Sequence, residues 1–400
     1  EGSYYELGLA TGRRFAAEIG RTLDQFGPLR QHLLPALRTA EGQAQYRAFL
    51  ELHRAHYPGY VAEVAGTAEG AGRPFEEMFL GNLWGEYLPA PQGGRRGCTD
   101  VAVLRPGAAL LGHNEDGLPA FRDGLYLVHG RVPGQPAFTV LSYPGALFGS
   151  AFGFNEAGVC FSIDTLFPVQ VGVGLGRCFA ARSLLEAVSL DDAVRRVTLP
   201  GRSSGFGYNL ASVRERRVLQ VEVAPRSYAV REVEGSSFHA NHYLELGRVA
   251  QTVSESSASR VARCRELFEA GAPRDASDVL RILGDEEDRA YPIYRTITGP
   301  DAHATFCTAL FDLDAATLRL TTGHPVREAQ AAASRQRSLV AQVHQQIQVL
   351  AAESRSVDEQ SRQLKGRRER LAGEKQGLQA PDAARIDSLG LEEAGAREAL

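Results

Sequence analysis

The chain has 400 residues, 44% of them hydrophobic, which supports a large buried core and excludes global disorder. Its net charge of −4 offers no basic field, so nucleic acid and anionic membrane are not default partners. Five scattered cysteines (98, 160, 178, 264 and 307) lack Cys-x-x-Cys spacing, which argues against a disulfide framework or a zinc site and for a reducing, cytoplasmic setting.

No apolar run reaches the roughly 18 residues of a membrane helix. The chain opens Glu1-Gly2-Ser3-Tyr4-Tyr5 without a methionine, so a removed leader stays open. Residues 8–80 read as helical: Leu9, Phe15, Ile19, Leu23 and Phe26 recur at three- and four-residue spacing, and Leu50, Tyr57, Tyr60, Val61 and Val64 continue it. Residues 90–97, Ala-Pro-Gln-Gly-Gly-Arg-Arg-Gly, form a turn-rich linker. Strands are predicted from Cys98 onward, at 108–112, 125–132, 137–143 and 159–163, with Gly, Pro and Asn turns between them. A helix is predicted at 178–198, strands at 207–213, 217–224 and 227–233, helices at 257–270 and 276–284, and strands at 304–312 and 316–322. Runs of consecutive strands with helices outside them predict antiparallel sheets in a layered α+β fold.

From about residue 328 the composition changes to Ala, Gln, Arg and Glu. Val343, Leu350, Val357, Leu364, Leu371 and Leu378 fall at seven-residue steps. Val340 and Ile347 begin a second seam position, which Ser354, Ser361, Arg368 and Lys375 then occupy. This predicts a long helix with a half-apolar coiled-coil seam, suited to self-association through 339–380 or simply solvated, and a frayed end after Pro381. The domain division that follows is 1–97, 98–327 and 328–400, the first two together forming one domain.

A cysteine serves as a nucleophile when a base takes its proton. At a chain terminus its own α-amine, with a pKa of about 7.7–8.0, can do this. Creating that terminus requires the preceding bond to break, and a preceding glycine tolerates the strained backbone of the attack. Gly97-Cys98-Thr99, between linker and strand, has this form, although the tripeptide alone more often marks a buried small residue entering a strand. Gly112-His113-Asn114-Glu115-Asp116-Gly117 supplies an amide and a carboxylate near a strand end, or else a turn. His239-Ala240-Asn241-His242-Tyr243 supplies an amide able to donate to an oxyanion, or else a polar strand end. Gly153-Phe154-Asn155-Glu156-Ala157-Gly158 by itself reads as a hairpin turn.

In this order and spacing, these boxes resemble the acyl-CoA:6-aminopenicillanate (isopenicillin N) acyltransferase-like family of N-terminal-nucleophile hydrolases, over roughly residues 3–326. The resemblance implies a four-layer αββα sandwich and self-cleavage into a chain ending at Gly97 and a chain starting at Cys98. It makes Cys98 the nucleophile, places Asp116 on the family's catalytic aspartate and Asn241 on the asparagine that polarises the acyl carbonyl. It puts Arg295 near the active site, with Tyr294 replacing a usual cysteine. Asn114, Asn155, His242 and Tyr243 are the expected substrate-binding residues. His113 receives no role, and Thr308 is a weaker candidate. The substrate is expected to be a small acyl donor, an amide or a thioester such as acyl-CoA, with water or an amine as acceptor. No metal or organic cofactor is expected.

Three alternatives stay open. His113, His239 and His242 as metal ligands are disfavoured, because His-x-x-His on an extended segment points to alternating faces. A conventional Cys98–His242 dyad would need no cleavage. A non-catalytic relative assembled through its C-terminal helix would need no nucleophile. Cys160, Cys178, Cys264 and Cys307 read as buried and inert, and Gly172-x-Gly174-x-Gly176 as a substrate-side loop rather than a nucleotide loop. Loops 118–123, 144–152 and 165–177 are expected to shape the pocket. Neither the acyl group nor the choice between hydrolase and transferase is readable.

Overall fold

The computed structural model describes residues 1–87, 97–297, 303–378 and 380–398. The predicted linker at 90–96 lies outside these residues. Residues 1–329 form one compact unit and residues 330–400 a second.

The first unit opens with helices α1 (Tyr4–Arg14), α2 (Ala16–Gln25), α3 (Leu34–Leu37), α4 (Ala40–His56), α5 (Pro58–Gly70) and α6 (Phe75–Gly81). Ser3 starts α1 with a capping box to Glu6, satisfying donors that a helix start leaves unpaired. Packing of α1 on α5 is close: a Cβ on Gly8 would sit 2.1 Å from the Glu63 carbonyl oxygen, and one on Gly66 would sit 2.1 Å from that of Tyr5. Only glycine allows this backbone approach.

Among the described residues twelve strands follow, interrupted by helices. They are β1 (Cys98–Arg105), β2 (Ala108–Gly117), β3 (Tyr126–Gly130), β4 (Phe138–Ser142), β5 (Phe152–Asn155), β6 (Val159–Leu166), β7 (Gly205–Ser212), β8 (Arg217–Val223), β9 (Tyr228–Glu232), β10 (Gly235–His239), β11 (Ala304–Asp312) and β12 (Thr317–Thr321). Helices α7 (Arg177–Ser183) and α8 (Leu190–Val197) lie between β6 and β7; α9 (Glu255–Ala270) and α10 (Ala276–Leu283) lie between β10 and β11. The single helix predicted at 178–198 is thus broken. Strands β5 and β10 were not predicted: the first is four residues long, and the second, Gly-Ser-Ser-Phe-His, is mostly polar.

The strands form two antiparallel sheets, ordered β10-β1-β2-β11-β12 and β3-β4-β5-β6-β7-β8-β9. Side-chain alternation assigns their faces. Val101, Val103, Leu110 and Leu310 of the five-stranded sheet pack with Cys264, Val279, Ile282 and Leu283 of α9 and α10. Val140, Phe161, Ile163, Leu210 and Val221 of the seven-stranded sheet pack with Ala181, Leu190, Ala193 and Val197 of α7 and α8. The two inner faces meet through Ala102, Ala109, Leu111, Phe152, Cys160, Ala211, Val218 and Phe311. The order is helices, sheet, sheet, helices: the four-layer αββα sandwich.

Helix α11 (Pro325–Gly377) is followed by α12 (Ala383–Glu398), so the segment after Pro381 is helical rather than frayed. Within α11, Val340, Val343, Ile347, Leu350, Val357, Leu364 and Leu371 are all exposed.

Candidate active site

β1 begins at Cys98, directly opposite Glu115 of β2, and Asp100 lies opposite His113. Residues facing each other across an antiparallel ladder share a face. Here that face is the one on which Ala102 and Leu111 enter the inter-sheet core. Cys98, Asp100, His113 and Glu115 therefore project between the sheets, while Thr99, Asn114 and Asp116 project toward α9 and α10. The box at 112–117, expected at a strand end or turn, lies inside β2.

His113 is the hub of the inner group. Its Nδ1 is 3.0 Å from Asp100 Oδ2 and its Nε2 is 3.0 Å from Glu115 Oε2. It also hydrogen-bonds the Cys98 thiol. Burial opposes charge on this ring, but Asp100, with the bonds to Asp100, Cys98 and Glu115, holds its pKa well above the ordinary histidine range. This shift favours the charged ring, with a carboxylate facing each nitrogen. Ser162 donates to Asp100, and Tyr143 donates to Glu115 Oε1. The thiol is 4% exposed, and burial with the nearby Glu115 charge pushes its pKa up to about 12, while His113 pulls it down.

A second buried chain carries the asparagine. His239, the last residue of β10, bonds Asp164 Oδ2 at 2.7 Å and Glu222 Oε1 at 3.0 Å. Burial opposes its charge, but Asp164 and Glu222 raise its pKa to about 10. Glu222 also accepts the backbone N–H groups of Leu244, Glu245 and Leu246, clamping the loop that holds Asn241. Asn241 Oδ1 accepts the backbone N–H of Cys98 at 2.8 Å and Arg260 Nη2 at 2.7 Å, while its Nδ2 donates to the Thr165 carbonyl at 3.3 Å. The asparagine thus grips the Cys98 nitrogen, where a donor to an oxyanion was expected.

Arg260 of α9 was missed by sequence reasoning. It donates to the Cys98 carbonyl and, at 2.7 Å, to Thr99 Oγ1. Among the arginines of α9 it reads as one more solvated charge, yet it shares the buried face with Ser256, Ser257, Val261 and Cys264. That spacing was the available signal. Asp100 and Glu115 were missed as well, because polar residues on an inner strand face interrupt the apolar alternation.

Asp116 accepts Thr305 Oγ1 at 2.7 Å and pairs with Arg295 Nη1 at 3.5 Å. A bulge in β11 between Thr305 and Cys307 turns Thr305 toward Asp116 while Cys307 faces Glu115. Burial raises the Asp116 pKa, opposed by Arg295 and Arg260. Arg295 in turn crowds Gly97: a Cβ there would lie 2.3 Å from Arg295 Nη1, 2.9 Å from Arg260 Nη2 and 3.2 Å from Asn241 Oδ1. Two guanidinium groups and an amide converge on the Gly97–Cys98 bond.

The other expected residues are placed differently. Asn114 faces away from the thiol and spends its amide on Leu283 O, Ile293 O and Thr308 Oγ1. Asn155 bonds Leu185 O and Ala187 O at the hairpin between β5 and β6. Tyr243 is buried with its hydroxyl on Val223 O. His242 Nδ1 bonds Ser257 Oγ, which also receives the Asn241 N–H, so His242 braces the loop, and the histidine beside the thiol is His113. Each of these four makes hydrogen bonds within the scaffold.

Among the described residues, Cys98, His113 and Glu115 are the grouping whose donor atoms lie mutually close, within 4.8 Å. They are turned onto one another and onto Asp100 and Tyr143. The other four cysteines are buried. No helix of the described residues is long and apolar enough to cross a membrane.

Tyr143 connects the thiol region to a cavity of about 50 Å³ lined by Phe26, Trp84, Phe121, Tyr143, Ala146 and Ser150, among others. Two of the expected pocket loops contribute, and so, unforeseen, do Phe26 and Trp84 from before the Gly97–Cys98 bond. A larger cavity of about 320 Å³ lies at the far end of the inter-sheet layer, among Phe154, Cys160, Val213 and Phe311. Burial pushes Cys160 up to about 12, and nothing there activates it.

Residues 103–327 match the model of the acyl-coenzyme A:6-aminopenicillanic acid acyl-transferase family, more than half of the chain. The chain belongs to this family. It is 28% identical over 356 residues to the beta-alanyl-dopamine/carcinine hydrolase of Drosophila melanogaster, covering 81% of this chain and 92% of that protein. It is 26% identical over 319 residues to the acyl-coenzyme A:6-aminopenicillanic-acid-acyltransferase 40 kDa form of Emericella nidulans, covering 78% and 88%. A stretch of 73 residues is 52% identical to chromosome partition protein Smc of Delftia acidovorans, covering 18% of this chain and 6% of that protein.

Proposed function

We propose that this chain is a cysteine N-terminal-nucleophile enzyme that cuts itself between Gly97 and Cys98 and then transfers acyl groups from small amides or thioesters through a thioester on Cys98. The observation that carries this reading is the convergence of Arg295, Arg260 and Asn241 on that one peptide bond, with Asn241 Oδ1 already on the Cys98 nitrogen. Once free, that nitrogen is an α-amine next to its own sulfur, held by Asn241 and able to take the thiol proton. Asp116 acts through Arg295, the cation beside Gly97, which stabilises the negative charge that develops on the carbonyl oxygen of the scissile bond and later of the substrate. Arg260 locks the Cys98 carbonyl and so the direction of the thiol.

The two relatives support the substrate class. One is named as a hydrolase of beta-alanyl-dopamine and carcinine, the other as an acyltransferase for acyl-coenzyme A and 6-aminopenicillanic acid. Water or an amine reaching the same acyl-enzyme separates the two outcomes. Phe26 and Trp84 line the cavity beside Tyr143, so the segment before the cut stays bound as part of the acyl pocket. No cofactor enters this chemistry. The exposed apolar positions of α11 suit self-association, outside the reaction.

The test is to incubate the purified protein with a panel of acyl-amides and acyl-CoA esters, quench in acid, and weigh the chain. The expected result is turnover together with one acyl group on Cys98, both abolished in Cys98→Ala. Turnover by an uncut chain would favour a conventional hydrolase instead, with His113 beside the thiol as the observation for it. An intact, inactive, self-associating chain would indicate a non-catalytic relative.

A further inference from the structure

Before the backbone is cut, the Cys98 nitrogen is an amide N–H donating to Asn241 Oδ1. It has no lone pair to give, so the first cut needs a proton acceptor other than the α-amine it will create. Burial makes the thiol a weak acid, so water does not remove its proton readily.

We propose that the buried chain Asp100–His113–Glu115 is the acid–base unit of self-cleavage, with the His113 imidazolium stabilising the Cys98 thiolate and Glu115 taking the thiol proton. The proposal rests on the self-cleavage reading above. Its basis is geometric: Glu115 stands directly across the ladder from Cys98, and donor atoms of Cys98, His113 and Glu115 lie within 4.8 Å of one another. His113 bonds the thiol, and its far nitrogen is fixed by Asp100 at 3.0 Å. Asp100 is a positioning residue, since it acts through the ring. The other charged or titratable groups facing this unit are Asp164 from β6 with its partner His239 of β10, Cys307 from β11 and Tyr143 after β4, while Arg260 from α9 and Asp116 lie near it on the opposite face of the sheet.

In the step itself the S–H bond breaks and its proton passes to the Glu115 carboxylate. The thiolate attacks the Gly97 carbonyl carbon, forming a C–S bond and an oxyanion. As the oxyanion collapses, the C–N bond breaks and the leaving nitrogen takes the proton from Glu115. Water then hydrolyses the thioester, leaving the Gly97 carboxylate and the Cys98 thiol, and the remaining proton goes to the new α-amine. No oxidant or other co-reactant is needed.

The experiment follows the full chain made by cell-free synthesis at a series of pH values, measuring loss of the uncut species on a denaturing gel. The wild type should cut at a rate nearly flat between about pH 6 and 8, because the thiol proton then passes within the buried chain and not to hydroxide. His113→Gln and Glu115→Gln should cut about 10²-fold more slowly near neutral pH and then gain about tenfold per pH unit, since only hydroxide then makes thiolate. Variants slowed equally at every pH, or not slowed, overturn the proposal. So does a wild-type rate that itself climbs about tenfold per pH unit across that range, a result that needs no variant to fold. A wild type that stays whole at every pH sinks the self-cleavage reading and this proposal with it; a wild type that is cut, with variants of unchanged profile, sinks only this one.

Discussion

The layer between the two sheets has two halves built from the same strands. Along β2, Ala109 and Leu111 belong to an apolar half closed by Phe152, Cys160 and Phe311, while two and four residues past Leu111 the same face carries His113 and Glu115. Along β6 and β7 the change is from Cys160 and Ala211 to Asp164, Asn209 and Gly207. Both halves are almost completely buried, so burial alone does not separate structure from chemistry. What separates them is that the polar half pairs its charges in chains that lead to Cys98, whereas the apolar half is filled by dispersion and hydrophobic contact.

The strongest way to break the polar half is at Gly97. Gly97→Ala puts a methyl group against the Arg295 and Arg260 guanidiniums, and self-cleavage should slow by about 10²-fold, read as uncut chain against time on a gel. An unslowed cut would mean those arginines do not shape the bond. The matching change in the apolar half is Phe311→Ala, which should cost about 3–5 kcal/mol in denaturant unfolding. Cleavage of the folded fraction should stay within about threefold of wild type, because the cavity opens away from Cys98.

A third prediction uses the charges. The His239 pKa is raised to about 10, so the stability it contributes is full below the unfolded histidine value and is lost as pH rises from about 6.5 toward 10. Melting temperature should fall over that window, and His239→Gln should flatten the fall; an unchanged slope would show that the Asp164–His239–Glu222 chain is not the source. The smallest effect belongs outside both halves. Ending the chain at Ala329, where the compact unit ends, should leave turnover within about twofold while abolishing any self-association seen by sedimentation.

How much of this was legible differs between the halves for the same reason. The helices, most strands and the layer order followed from periodicity, because apolar alternation in β1, β6, β7 and β8 marks faces. Strand β2 continued past Gly112 unseen, since Asn114 and Asp116 on its outer face and His113 and Glu115 on its inner face leave no apolar alternation to read. Gly97, Cys98, Asp116, Asn241 and Arg295 were named through the ordered boxes. Arg260 and Asp100 stand outside those boxes and come to Cys98 and His113 only through tertiary packing. Asn114, Asn155, His242 and Tyr243 came from the same boxes, and their bonds hold a loop, a hairpin or a helix end.

The most direct measurement of the central claim is N-terminal sequencing and intact mass of the purified protein without substrate. The account predicts two tightly associated chains, one ending at Gly97 and the other beginning at Cys98, and a single uncut chain for Cys98→Ala. A wild-type protein that turns over substrate as one unbroken chain, or is cut at a different bond, would contradict it.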